Sequence, residues 1–203
     1  MAAQFIVDGQ KGAGSAAVEA APTLLGLPYV LEESRSAANP MAQVPALILP
    51  TGEMMTESAA ILIWLAEAYP KAGLAPAPNS GARPAFLRWM AFVSAASYAL
   101  YWVRDDPSRV ISGEAAQRDV KTRLAERIVH CWSIMEAGLD PSPYLLGDRL
   151  SVLDLYVTVV SRWTSRDALH KLVAPRLGEA VRRVEADPRL AALWAERFPL
   201  RQG

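Results

Sequence analysis

Hydrophobic positions follow two different periods along the chain, and the change falls near residue 82. Before that point, short apolar runs bounded by glycine or proline are typical of β-strands, and they occupy residues 4–8, 29–33 and 45–49. Pro50 and Gly52 mark a turn after the third run. This turn predicts an antiparallel hairpin to a brief strand near Met54 and Met55.

Two segments of the same region have helical spacing instead. One is the alanine-rich run that follows Gly14, and the other follows Thr56, which we predict to be an N-cap. The second helix is expected to end at Pro70, because proline cannot continue a helix. The predicted element order is therefore βαβ followed by ββα.

After residue 82 the apolar residues keep helical spacing throughout. The predicted helices occupy residues 86–103, 114–139 and 152–166, and one or two terminal helices occupy residues 175–197. Residues 73–84 are rich in proline and glycine, which is typical of a linker. We therefore predict an α/β domain over residues 1–75 and an all-α domain over residues 83–203.

The composition argues against two classes of partner. The chain of 203 residues has 21 Lys and Arg against 21 Asp and Glu, so no net charge attracts nucleic acid or an anionic membrane. No apolar stretch approaches the roughly 20 residues that span a bilayer, and the first residues lack the pattern of a signal peptide. We predict a cytoplasmic protein with neither nucleic acid nor membrane as a partner.

Cysteine and histidine are too few for the common metal and disulfide chemistries. Cys131 is the single cysteine, and the apolar helical pattern around it predicts a buried, inert thiol. His130 and His170 are the only histidines and lie far apart in the sequence. We therefore expect no metal site.

Two helix starts carry the candidate chemistry, and the residues alone leave their roles open. Ser15 follows a glycine-rich turn, where a serine is either a cap or a functional hydroxyl. Glu57 and Ser58 open the second helix, whose N-terminal backbone N–H groups can hold a carboxylate, although a purely structural helix start explains the same residues. Val44 precedes Pro45 at a strand entrance, where a trans bond is the commoner form.

Four sequence blocks, taken in order, resemble the glutathione S-transferase superfamily. They are "GLPY" (26–29), "NPMAQVPAL" (39–47), "TESAAILIWLAEAYP" (56–70) and "YLLGDRLSVLDLYV" (144–157). The resemblance implies a thioredoxin-like N-terminal domain, an all-helical C-terminal domain, glutathione as co-substrate and a homodimer. This expected glutathione transferase fold agrees with the element order read from periodicity.

The resemblance also implies roles for individual residues. It makes the Val44–Pro45 bond cis, with the Val44 backbone pairing to the cysteinyl part of glutathione and Gln43 beside it. It assigns Glu57 and Ser58 to the γ-glutamyl group. It further implies that Ser15 activates the thiol, since no tyrosine precedes Tyr29 and no cysteine precedes Cys131.

The same resemblance places an electrophile pocket against the first long helix of the second half. That helix is rich in aromatic residues, and we predict Tyr98, Trp102 and Arg104 as pocket residues. Aromatic residues at helical spacing are more often part of a core, so this prediction concerns the set rather than each residue.

Ser151 and Asp154 form a second motif whose mechanics are clear from the residues. Their spacing predicts a capping box, in which each side chain bonds to the other residue's backbone N–H. Leu150 and Leu155 occupy the positions of a hydrophobic staple around it. We expect this motif to stabilise the fold and to take no part in catalysis.

The leading hypothesis is a glutathione transferase that attacks a small apolar electrophile. The alternative is a noncatalytic protein of the same fold that binds glutathione or a hydrophobic ligand. The connection between Tyr29 and Val44 motivates this alternative, because it is shorter than in most members of the family. A thiol-disulfide oxidoreductase is disfavoured, since no cysteine lies near the first helix.

Overall fold

A computed structural model describes residues 4–33 and 39–198 of the chain. The first half forms a sheet with two helices: β1 (Phe5–Asp8), α1 (Ser15–Leu25), β2 (Tyr29–Glu32), β3 (Ala46–Ile48), β4 (Met54–Met55) and α2 (Ser58–Ala68). The strand order is β2-β1-β3-β4, with β1 parallel to β2 and antiparallel to β3. The predicted βαβ-ββα order, including the β3–β4 hairpin, is confirmed.

The described part of the second half consists of helices and the loops that join them. Its helices are α3 (Arg83–Phe92), α4 (Ala99–Asp105), α5 (Glu114–Gly138), α6 (Val152–Ser161), α7 (Arg166–Ala168), α8 (Pro175–Glu185) and α9 (Ala191–Arg197). A π-helical segment, Val93–Tyr98, joins α3 to α4. Within the described ranges, no helix is both long and apolar enough to cross a membrane.

Several helix boundaries differ from the predicted ones. The stretch predicted as one helix at 86–103 contains the π-helical segment, whereas residues 175–197, predicted to form one or two helices, form two, α8 and α9. The predicted cap at Thr56 was wrong, because α2 begins at Ser58 and its N-cap is Glu57. Glu57 has φ 67°, a left-handed conformation that interrupts the chain just before the helix.

Every residue of helix α6 is buried, which places this helix at the centre of the core. It packs against α1, whose small alanines allow close approach, and against α2, α3 and α8. The backbone N–H of Val152 at its start donates to the carbonyl of Leu74 at 2.8 Å, so the core continues across the proposed linker. The boundary between the domains at residues 73–84 therefore stays a prediction.

The start of α6 confirms the predicted capping box. The backbone N–H of Ser151 donates to Asp154 Oδ2 at 2.9 Å, and the Ser151 hydroxyl donates to the same oxygen at 2.6 Å. The backbone N–H of Leu145 donates to the other carboxylate oxygen at 2.8 Å. Burial raises the pKa of Asp154, and these hydrogen bonds oppose that shift by favouring the ionised carboxylate.

Candidate functional site

A cavity of about 670 Å³ lies between the sheet half and the helical half. One wall comes from the loops around residues 39–45 and 56–58. The other wall is formed by Ser94, Tyr98, Ala99, Trp102, Arg109 and Tyr156. The cavity therefore combines backbone and polar groups on one side with aromatic rings on the other.

The first wall contains the segment that leads into β3. The Val44–Pro45 bond is cis, and Val44 lies before the residues at which β3 pairs with β1 and β4. Asn39 holds this loop, since its side-chain amide donates to the carbonyl of Gln43 at 2.6 Å. The cavity is thus bordered by the loop that enters the sheet at β3, where a bound peptide could reach the backbone of Val44. Residues 34–38 of the short connection lie outside the described residues.

The start of α2 forms the polar part of the same wall. Glu57 is exposed and Ser58 is the first residue of an 11-residue helix. The Ser58 hydroxyl lies 2.8 Å from the hydroxyl of Tyr156, which also bonds to Ser94. The left-handed conformation of Glu57 is strained for a residue other than glycine, and such strain is concentrated at ligand sites.

Ser15 lies elsewhere and has a different environment. It is fully buried and is not among the described residues that line the cavity. Its Oγ accepts the backbone N–H of Gln10 at 3.0 Å and donates to the Gln10 carbonyl at 3.2 Å. It makes no N-cap bond, because Gly14 holds the cap position of α1. The catalytic role of Ser15 stays a prediction, and it requires the hydroxyl to leave Gln10.

Hydrogen bonds from the helical half hold the glycine-rich turn before Ser15 in place. The backbone N–H of Gly12 donates to the carbonyl of Arg197 at 3.0 Å, and Trp163 Nε1 donates to the Gly12 carbonyl at 2.8 Å. Beneath the turn, the Arg197 guanidinium contacts Glu19 at 2.7 Å, and both side chains are at most 3% exposed. Burial is the main reason that the pKa of Glu19 is raised to about 7, against the opposing effect of Arg197.

Of the three predicted pocket residues, two line the cavity and one does not. Tyr98 and Trp102 belong to the aromatic wall. Arg104 is not among the described lining residues; it donates to the carbonyl of Trp163 at 2.8 Å and stacks over Tyr101, so its role at the pocket stays a prediction. The cation in the cavity wall is Arg109, whose guanidinium lies 4.7 Å from the centre of the Trp102 ring.

Arg109 was missed because it follows the end of α4. Pro107–Arg109 form a single 3₁₀ turn, so helical spacing from Trp102 does not locate its side chain. The proline and the aspartate before it are a turn signal, and this signal marks the bend that brings Arg109 back toward the helix. Among the described residues, no group of His, Cys, Asp and Glu could hold a metal ion.

Comparisons with known proteins identify the family. The family model for the glutathione S-transferase N-terminal domain matches residues 18–68, and the model for the C-terminal domain matches residues 109–197. The chain belongs to the glutathione S-transferase superfamily. A similar curated protein is an uncharacterized GST-like protein, YncG, of Escherichia coli K12, 28% identical over 77% of this chain and 80% of its own. Glutathione S-transferase GST-4.5 of Xanthomonas campestris is 27% identical, with 78% of each chain covered.

Solved structures of glutathione S-transferases show the same fold. A glutathione transferase homologue from Sulfitobacter, with bound glutathione, has a TM-score of 0.85 and 24% identity, covering 96% of this chain and 98% of its own. A glutathione transferase from Methylococcus capsulatus has a TM-score of 0.74 and 29% identity, with 95% and 98% covered. The thioredoxin-like and all-helical halves of the chain therefore have the arrangement expected for the superfamily.

Proposed function

We propose that this glutathione S-transferase binds glutathione in the cavity and transfers it to a small aromatic or apolar electrophile. The observation that carries the proposal is that the loop before β3, the start of α2 and an aromatic wall border one cavity. The first two features suit a peptide with an amino acid end, and the third suits an apolar partner. The family and the glutathione-bound relatives support the same assignment.

The polar wall suits two of the three parts of glutathione, the γ-glutamyl group and the cysteinyl residue. The Ser58 hydroxyl and the N–H groups at the start of α2 suit the α-carboxylate of the γ-glutamyl group. The carboxylate of Glu57 suits its ammonium group. Val44, with its cis bond to Pro45, and the adjacent Gln43 would receive the cysteinyl part along the backbone. The thiol would then project toward the aromatic wall.

The reaction needs a thiolate, since a free thiol with a pKa of about 8.5 is mostly protonated at neutral pH. In the transfer, the sulfur donates an electron pair to an electrophilic carbon, and a carbon–sulfur bond forms. The leaving group departs with the electron pair of the bond that breaks, while the thiol proton passes to solvent. Tyr98 and Trp102 offer ring faces for the electrophile, and Arg109 adds one positive charge to that wall.

Kinetics of conjugation with 1-chloro-2,4-dinitrobenzene test this function. Glu57→Gln should raise the KM for glutathione roughly tenfold to a hundredfold, because it removes a charged partner of the ligand's ammonium group. The matched control is Glu53→Gln, an exposed glutamate outside the cavity in the β3–β4 turn, which should match the wild type. Equal kinetics for the two variants would contradict the assignment of Glu57.

A noncatalytic binding protein is the second candidate, and the geometry of Ser15 favours it. The hydroxyl expected to activate the thiol is buried and bonded to Gln10. Saturable glutathione binding without conjugation of any electrophile in a broad panel would support this candidate over the enzyme. A homodimer and a cytoplasmic location belong to the proposal as well, and sedimentation analysis would test the homodimer.

A further inference from the structure

The hydroxyl of Tyr98 has a different environment from three other tyrosine hydroxyls, each of which has a partner within hydrogen-bond distance. Those pairs are Tyr156 with Ser58 at 2.8 Å, Tyr101 with Thr164 at 2.7 Å and Tyr29 with Thr23 at 3.4 Å. Within residues 4–33 and 39–198, the hydroxyl of Tyr98 makes no such bond, although the ring is half-buried and lines the cavity. A polar group without a hydrogen-bond partner at the edge of a cavity can form its hydrogen bond to a bound ligand.

The position of this hydroxyl is also informative. It rests against Gly14, where a β-carbon would overlap it. Gly14 is the N-cap of α1, and no side-chain bond caps this helix. The hydroxyl therefore lies beside the N-terminal N–H groups of α1, whose partial positive charge favours an anion. Tyr98 thus lines the cavity, and its hydroxyl contacts the N-cap of α1, which is not among the described lining residues.

The Tyr98 ring is held in place from several sides. Its centre lies 4.8 Å from the Trp163 ring in an edge-on arrangement and 5.9 Å from the Tyr156 ring. Tyr98 also ends the π-helical segment Val93–Tyr98, and such interruptions of an α-helix are frequent at functional sites. A donor on a fixed ring needs no reorganisation when charge develops nearby.

Two titratable groups face Tyr98 from neighbouring elements, Tyr156 on α6 and Glu57 before α2. Burial, together with these two groups, raises the pKa of the Tyr98 phenol above its usual value. The phenol therefore stays protonated at neutral pH and can donate a hydrogen bond. In the complex, the ammonium group of the ligand would offset the negative charge of Glu57.

We propose that Tyr98, from the helical half, is a catalytic residue that donates its hydroxyl hydrogen bond to the sulfur of bound glutathione and stabilises the thiolate, in place of Ser15. This inference rests on the proposed function. The hydroxyl keeps its proton throughout, and the thiol proton leaves to solvent. The sulfur then attacks the electrophilic carbon, whose leaving group departs with its electron pair.

The test measures the pKa of the thiol in the glutathione complex, from the ultraviolet absorbance of the thiolate as pH is varied. Tyr98→Phe should raise this pKa by about one to two units relative to wild type, since it removes a hydrogen bond to a charged group. It should also lower kcat/KM at neutral pH by roughly tenfold to a hundredfold. The affinity for S-methylglutathione, which has no thiol to ionise, should stay within about twofold of wild type.

Tyr29→Phe is the matched control, because Tyr29 is on β2 and does not line the cavity. It should leave the thiol pKa at the wild-type value. An unchanged thiol pKa in Tyr98→Phe, with glutathione still bound, would overturn the role of Tyr98 and leave the proposed function standing. A rise in Ser15→Ala but not in Tyr98→Phe would overturn it in favour of Ser15. No heat on titrating wild type with glutathione would overturn both proposals.

Discussion

The starts of α1 and α2 have the same local design and different surroundings. Each helix has 11 residues and begins with a serine. Neither helix has a side-chain hydrogen bond at its N-cap, which is Gly14 in α1 and Glu57 in α2. Ser15 is fully buried, and its hydroxyl bonds to the Gln10 backbone and to the Glu19 carboxylate. Ser58 is 7% exposed and borders the cavity, with its hydroxyl bonded to Tyr156.

The difference shows that a serine at a helix start becomes a candidate ligand site only where the tertiary structure leaves room for a ligand. The turn before α1 is covered by Trp163 and by the carbonyl of Arg197, and the buried Glu19–Arg197 pair lies beneath it. The start of α2 has no such cover and faces Tyr98 across the cavity. The same local sequence feature therefore borders the cavity at Ser58 in α2, while the Ser15 side chain in α1 is buried away from it.

The largest expected effect on stability comes from removing the Glu19–Arg197 ion pair beneath the turn before α1. Arg197→Met would leave Glu19 buried without its 2.7 Å partner. We expect the free energy of unfolding at pH 8 to fall by about 3–5 kcal/mol, as when one member of a buried ion pair is removed. Urea denaturation measures this change.

Arg123→Met provides the control for this substitution, since Arg123 and its partner Asp119, 2.9 Å away, are 75% and 60% exposed. A surface pair of this kind contributes at most about 1 kcal/mol. Equal losses in the two variants would show that the Glu19–Arg197 pair does not stabilise the start of α1 more than a surface pair does.

The pH dependence of the free energy of unfolding tests the buried environment of Glu19 beneath α1. Glu19 has its pKa raised from 4.5 to about 7 in the folded chain, so between these values the folded state binds more protons than the unfolded state. Through that window, Glu19 should make stability fall as pH rises, by up to roughly 1.4 kcal/mol per unit, with no further change above pH 7. Urea titrations of wild type and Glu19→Gln at several pH values measure it, and an unchanged slope in Glu19→Gln would contradict the assignment.

A smaller effect separates the two serines directly. Ser58→Ala should weaken glutathione binding by about tenfold, because a hydroxyl that meets the ligand's carboxylate is lost while Tyr156 keeps its bond to Ser94. Ser15→Ala should lower the free energy of unfolding by about 1 kcal/mol and leave glutathione affinity within about twofold. Calorimetric titration and urea denaturation of both variants give the comparison. The reverse pattern would mean that the start of α1 is the ligand site.

Much of the fold could be predicted from the sequence because the signals are local. The strands and the capping box at Ser151 and Asp154 depend on short-range patterns, and both are confirmed. The break in the helix at Val93–Tyr98 could not be predicted, since no proline or glycine marks it. The N-cap shift from Thr56 to Glu57 depends on a strained backbone conformation that propensity does not favour.

The site was also predictable in part, namely where its residues belong to local sequence motifs. Motif residues such as Val44 and Ser58 are found from sequence blocks, and the structure brings them to one cavity with Tyr98 and Trp102. Arg104 was the predicted pocket cation, whereas Arg109 lines the cavity. The position of Arg109 depends on the path of the chain after α4, which cannot be read from helical spacing. The orientation of Ser15 likewise depends on the loop around Gln10, which folds back onto its hydroxyl.

The most direct test of the account is a pair of calorimetric titrations of the wild-type protein, one with glutathione and one with cysteinylglycine. The two ligands differ only in the γ-glutamyl group, which we assign to Glu57 and Ser58 at the start of α2. The account predicts saturable binding of glutathione at least about tenfold tighter than that of cysteinylglycine. Equal affinities, or no binding of glutathione, would contradict it.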